Sequence, residues 1–209
     1  MGKFYARSRL PFGSWSGGGR LLLGAAALAA VIAAALAVLS PARAPADGQT
    51  AGGGNQTRWG PLSDLDRTLL VKVRQAGLWE MPAGQQAEQR ASSLRVKQVG
   101  NMIMTQHMQL DADVRATAQK LNVQLPNEPN ADQRSWLREM SATFGTDFDH
   151  TFVLRLRAAH GKVFAVIATA RAQSRNTLIR AFAERAMKFV NTHMTLLEST
   201  GLVTDSALH

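Results

Sequence analysis

From Leu62 onward the apolar residues recur at steps of three and four and never alternate for long, the periodicity of amphipathic helices. Four long helices are expected. The first covers about Ser63 to Arg90, with Ser63 as N-cap, Asp64 and Asp66 in its first turn, and the stripe Leu65, Leu69, Val73, Ala76, Glu80, Ala83, Ala87. Pro82 interrupts its hydrogen-bond ladder and predicts a kink one turn from Glu80. The second covers about Ser93 to Leu121, with the stripe Val99, Ile103, His107, Leu110, Val114, Leu121. The third covers about Asp147 to Ala172, with Asp149, Val153, Leu156, His160, Val163, Ile167, and the fourth about Thr177 to Thr200, with Ile179, Phe182, Ala186, Phe189, His193, Leu196. A loop with Pro126 and Pro129 and a short helix from about Ala131 to Thr143 separate the second from the third.

Two hairpins joined by a long crossover predict an all-α fold, a ferritin-like four-helix bundle over residues 62–203 with the crossover between helices 2 and 3. An up-and-down bundle is the alternative arrangement.

The N-terminus follows a different pattern. Leu21 to Leu39 is an uncharged run of 19 residues behind Lys3, Arg7, Arg9 and Arg20. As a helix it would span about 28 Å, close to the hydrocarbon thickness of a bilayer. Basic residues ahead of it put the N-terminus in the cytoplasm and the remaining chain outside. Residues 1–46 therefore read as a signal peptide or a transmembrane anchor: the length favours an anchor, while Ala42-Arg43-Ala44 and Ala44-Pro45-Ala46 each fit a cleavage site. Either delivers an extracytoplasmic domain, secreted or held to the membrane by residues 21–39. Residues 47–61, with Gly52-Gly53-Gly54, read as a flexible linker.

The chain lacks Cys, which excludes disulfides, thiolate metal sites and thiol catalysis. Its formal charge of +9 comes partly from the leader: five of the 24 Lys and Arg and none of the 15 Asp and Glu precede Asp47, leaving +4 for the rest. That mild, scattered charge with few aromatics argues against nucleic-acid binding. No nucleophile–base pair, Gly-rich phosphate loop or dinucleotide motif is present.

The candidate chemistry lies on the stripes. Glu80, His107, His160 and His193 stand on the apolar faces of four different helices, where an ionisable group is costly unless paired. Counting from the first hairpin turn puts Glu80 and His107 within ~4 Å of one level. Counting from Gln173 and Ser174 separates His160 from His193 by ~10 Å, too far for one ion. Asp149 lies three turns from His160 and cannot share an ion with it, and His193 falls between their levels, able to pair with either. Imidazole and carboxylate together suit zinc, iron, manganese or copper. A di-iron carboxylate centre is disfavoured, because Met104 and Val190 stand where its Glu-x-x-His pairs need Glu. Met104 and Met108 beside His107 would suit copper or a haem axial position, or simply fill the core.

Five short segments carry a resemblance: Gly77-Leu78-Trp79-Glu80, Met104-Thr105-Gln106-His107, Phe148-Asp149-His150-Thr151-Phe152, Ala159-His160 and Asn191-Thr192-His193. With them, the stretch from about Asp64 to Gly201 resembles the ferritin-like domain-of-unknown-function family 4142 of exported bacterial proteins. The resemblance implies the fold, the exported location and a polar set of Glu80, His107, Asp149, His160 and His193. It carries no established activity. It departs at Pro82, where the family more often has a helix former.

Three functional classes remain open on the sequence: a non-enzymatic protein that binds a transition metal in its core, a structural or interaction module of the cell envelope without metal, and a redox enzyme with a metal centre.

Overall fold

The structure, a computed structural model, describes residues 55–208. The 21–39 run and the expected leader lie outside them. Among the described residues there are five α-helices and one two-stranded sheet, and no helix is long and apolar enough to cross a membrane. The elements run β1 (Asn55–Thr57), β2 (Gly60–Leu62), α1 (Asp64–Arg90), α2 (Leu94–Leu121), α3 (Ala131–Ser141), α4 (Gly145–Gln173) and α5 (Thr177–Glu198), then a 3-10 turn (Asp205–Ala207).

Local chemistry sets the helix ends. Ser63 and Asp66 form a reciprocal capping box at the start of α1, each side chain meeting the other's backbone N–H. Ser93 caps α2, and Asn122 ends it in the left-handed conformation at φ 52°. Asn130 and Gln133 form a second capping box on α3. α1 runs unbroken through Pro82. The expected boundaries hold to within about two residues.

Residues 55–61 do not belong to a flexible linker. β1 and β2 pair antiparallel as a hairpin, and one buried asparagine pins it to the α4–α5 turn. Asn176 accepts from Leu178 N and Ile179 N through Oδ1, capping α5, while its Nδ2 donates to Thr57 Oγ1 and to the Gly60 carbonyl. The Trp59 carbonyl accepts from Thr177 N at 2.9 Å. Gly60, at φ +106°, brings its backbone so close to the Arg175 carbonyl that a Cβ would sit 2.5 Å from that oxygen. The anchoring groups lie more than 110 residues along the chain, so local composition could not reveal them.

α1 packs along α2, and α4 along α5; α1 also packs on α4, and α2 on α5. Two apolar clusters fill the space between these helices. One gathers Leu69 and Val73 of α1, Leu110 and Val114 of α2, Ile167 of α4, and Ile179 and Phe182 of α5. The other gathers Ala83 and Ala87, Val96 and Ile103, Phe148 and Phe152, and Leu197. The early part of α1 and the late part of α2 thus share one cluster, as do the late part of α4 and the early part of α5. Each hairpin is antiparallel, α2 and α4 run the same way, and residues 122–144 with α3 return the chain between them. Arg74 of α1 holds that return segment by donating to the Pro126 carbonyl at 3.2 Å and pairing with Asp111.

α1 and α2 approach closely because glycines face each other. A Cβ on Gly84 would lie 2.5 Å from the Gly100 carbonyl oxygen, and one on Gly100 would lie 2.6 Å from Ala87 Cβ. Gly84→Ala or Gly100→Ala is therefore expected to force the helices apart and cost about 1–3 kcal/mol in chemical denaturation. Gly161→Ala, which meets only the flexible end of Arg157, should instead stabilise by about 0.5–1 kcal/mol through helix propensity. Equal effects at all three positions would contradict the close approach.

Candidate functional site

Between the two apolar clusters lies one polar layer. Each long helix supplies one residue to it, at the point where its stripe passes from one cluster to the other: Glu80 from α1, His107 from α2, His160 from α4 and His193 from α5. All four are at most 2% exposed. One ligand-capable atom from each lies within 4.8 Å of every other.

The expectation that His160 and His193 stand at different levels is wrong. His160 Nε2 and His193 Nδ1 are 3.0 Å apart. Ser174, Arg175 and Asn176 form the turn and do not rise along a helix. Measured from the true helix ends, His160 is 13 residues before Gln173 and His193 is 16 after Thr177, a difference of only ~4–5 Å. The pairing of Glu80 with His107 is as expected: Oε2 and Nε2 are 2.8 Å apart.

Asp149 stands apart from the four. Its Oδ1 accepts from Ser92 N at 3.2 Å, and its Oδ2 accepts from Ser92 Oγ at 2.6 Å and Ser93 N at 3.0 Å. It ties α4 to the α1–α2 turn and satisfies donors at the N-terminus of α2. His150 is exposed, and Trp79 is a fully buried packing residue. Met108 is exposed, 60% of its surface open to solvent, and does not turn into the core.

Proton placement defines what the cluster can do. His160 Nδ1–H donates to the Leu156 carbonyl at 2.8 Å, so the neutral ring presents a bare lone pair at Nε2. His193 Nε2–H donates to Gln106 Oε1 at 2.9 Å, which leaves Nδ1 bare. These two lone pairs face each other, and Glu80 Oε2 lies 3.2 Å from His160 Nε2. Glu80 Oε2 and both His107 nitrogens are buried without a hydrogen bond of good geometry, although Oε2 and Nε2 stand only 2.8 Å apart. A buried carboxylate oxygen and imidazole nitrogens thus converge without satisfying one another.

The charge states match. Burial pushes the Glu80 carboxyl up, but the facing His107 and His160 together draw it below its ordinary value, so it is anionic. Burial drives the His160 imidazole down, against the opposing pull of Glu80. Burial, with the neighbouring His107 and His160, drives His193 down to about 2. An anionic carboxylate and neutral imidazoles are the forms that ligate a transition ion. Such an ion sits ~2.0–2.2 Å from N and O donors, which places donors at most about 4.4 Å apart. The widest separation here, 4.8 Å, exceeds that by a rotamer adjustment. The four residues fit a single ion.

Gln106 escaped the sequence reading. It lies one residue from His107, off the stripe and half-buried, and only the packing of α2 on α5 turns it to His193.

The two histidines kept neutral in the fold set a pH dependence for metal-free protein. A group whose folded value lies below its unfolded value of about 6.5 binds a proton only on unfolding, so stability falls as pH drops through that value. Each histidine contributes a loss of about 1.4 kcal/mol per pH unit below 6.5 while it stays neutral in the fold. The melting temperature should fall steadily from pH 7 to pH 5, with a shallower fall in His193→Gln. A flat profile over that range would contradict the buried neutral pair.

Residues 53–199 match a family model described as "Domain of unknown function (DUF4142)". No curated protein and no solved structure matches the chain. The match spans more than half of the chain and includes all four helices that build the polar layer, and the chain belongs to this family.

Proposed function

We propose that this chain is an exported or membrane-tethered ferritin-like four-helix bundle that binds one transition-metal ion through Glu80, His107, His160 and His193. Long α1, α2, α4 and α5 supply the bundle, with residues 122–144 as the crossover. The export reading rests on the basic N-terminus and the apolar run 21–39. The observation that carries the metal reading is the meeting of His160 Nε2 and His193 Nδ1 at 3.0 Å, lone pair to lone pair, beside an anionic carboxylate. Such a meeting is repulsive unless a cation lies among the atoms, and the lowered basicity of both rings makes a proton the weaker candidate. Three nitrogens and a carboxylate suit zinc, iron, manganese or copper. A storage, sequestration or stress-protection role fits such a site better than turnover. Leu156 and Gln106 act on the ion through the histidines they orient.

A second reading has an observation of its own. Glu80 Oε2 and His107 Nε2 sit 2.8 Å apart, close enough to pair directly, which would let the layer serve only to specify the fold of an envelope interaction module.

Elemental analysis of protein purified without a histidine tag separates the two. One equivalent of metal is expected, and saturation should raise the melting temperature of stripped protein by about 5–10 °C. Glu80→Gln should weaken binding at least tenfold. If no metal copurifies and none of the four ions shifts the transition, the metal reading fails. The inert layer predicts instead that replacing Glu80 and His107 together by leucine is neutral or stabilising.

Asp149 provides an internal control. Asp149→Ala strips three hydrogen bonds from the α1–α2 turn and should cost about 2–3 kcal/mol while leaving metal stoichiometry at one. Loss of metal in a folded Asp149→Ala protein would place Asp149 among the ligands.

A further inference from the structure

A cavity of about 310 Å³ opens between α1, α3 and α4 and ends against Glu80, which stays 1% exposed. Of the four clustered residues, Glu80 borders it and the three imidazoles do not. Its walls are largely apolar, with Ala76 and Val163 facing Trp136, whose ring meets Trp79 edge to face at 5.2 Å. Its charged groups are Lys72 of α1, Lys162 of α4 and Asp132 of α3. Both lysines are exposed, and among the described residues neither forms an ion pair.

Charge decides what such a cavity holds. Without an ion, the buried Glu80 carboxylate behind the cavity wall opposes an anion. With an ion among Glu80 and the three histidines, the carboxylate is neutralised and the field at the cavity turns positive, reinforced by two lysines against one aspartate. A ligand in this cavity lies next to Glu80 and does not touch the three imidazoles.

We propose that the cavity between α1, α3 and α4 binds a small organic carboxylate with a compact apolar body. The anionic head pairs with Lys72 and Lys162, the body packs on Trp136, and the ion behind Glu80 turns the field in the cavity positive. The inference rests on the metal reading and adds a ligand class to that site. It makes the two ligands interdependent: ion and carboxylate must each raise the affinity for the other by the same factor.

Benzoate is a suitable probe, with acetate as the comparator that lacks the apolar body. Full-length protein is prepared metal-free and loaded with whichever of zinc, iron, manganese or copper stabilises it most, and binding is followed by calorimetry and by tryptophan fluorescence. Benzoate should bind the loaded protein at least tenfold more tightly than the metal-free protein, and more tightly than acetate. The double variant Lys72→Ala/Lys162→Ala should weaken benzoate about five- to tenfold while metal stoichiometry stays at one. Trp136→Ala should weaken benzoate but not acetate. The proposal is overturned if loaded protein binds no benzoate up to about 10 mM, or if binding ignores both the ion and the lysines. A chain that takes up no metal sinks the metal reading and this one together, whereas a chain that binds metal but not benzoate sinks this one alone.

Discussion

The meeting of His160 and His193 inside the core, with Glu80 and His107 against them, is the constraint on which the arrangement of the long helices turns. Desolvating a carboxylate and three imidazoles is expensive, and an apolar layer of equal volume would fill the same space at lower cost. The surrounding structure over-determines the layer. Apolar clusters seal it on both sides, the Leu156 carbonyl and the Gln106 amide each occupy the outward nitrogen of one ring, and those hydrogen bonds aim the remaining lone pairs inward.

Holding four side chains to that geometry requires rigid supports. The glycine contact between Gly84 and Gly100 brings α1 and α2 together one turn from Glu80 and two turns from His107. Asp149 locks the start of α4 to the α1–α2 turn, and Arg74 binds the crossover to α1 and α2. At the other end Asn176 joins the N-terminus of α5 to the β-hairpin. Each tie is a buried or half-buried polar side chain that satisfies backbone groups distant in the chain, so the helices cannot slide without exposing unpaired donors.

Glu80 is the member of this closed layer that borders the cavity beside α3. An ion in the layer and an anion in the cavity would be coupled electrostatically across Glu80.

Periodicity alone located the helices and the four residues of the layer, because a helix turns at a constant rate and a burial stripe records it: His107 on Ile103–Leu110 and His160 on Leu156–Ile167 were legible this way. The cap at Ser63 was legible too, since capping is chemistry between near neighbours. Registry between helices was not. The level of His193 against His160 depended on three turn residues whose rise no stripe encodes, and the roles of Asp149, Gln106 and Asn176 depended on partners 56, 87 and 116 residues away. The docking of the hairpin at residues 55–62 was hidden for the same reason. A single chain specifies which faces must be buried; only the tertiary structure decides which buried groups meet, because that is set by helix ends, close approaches and long-range hydrogen bonds acting together.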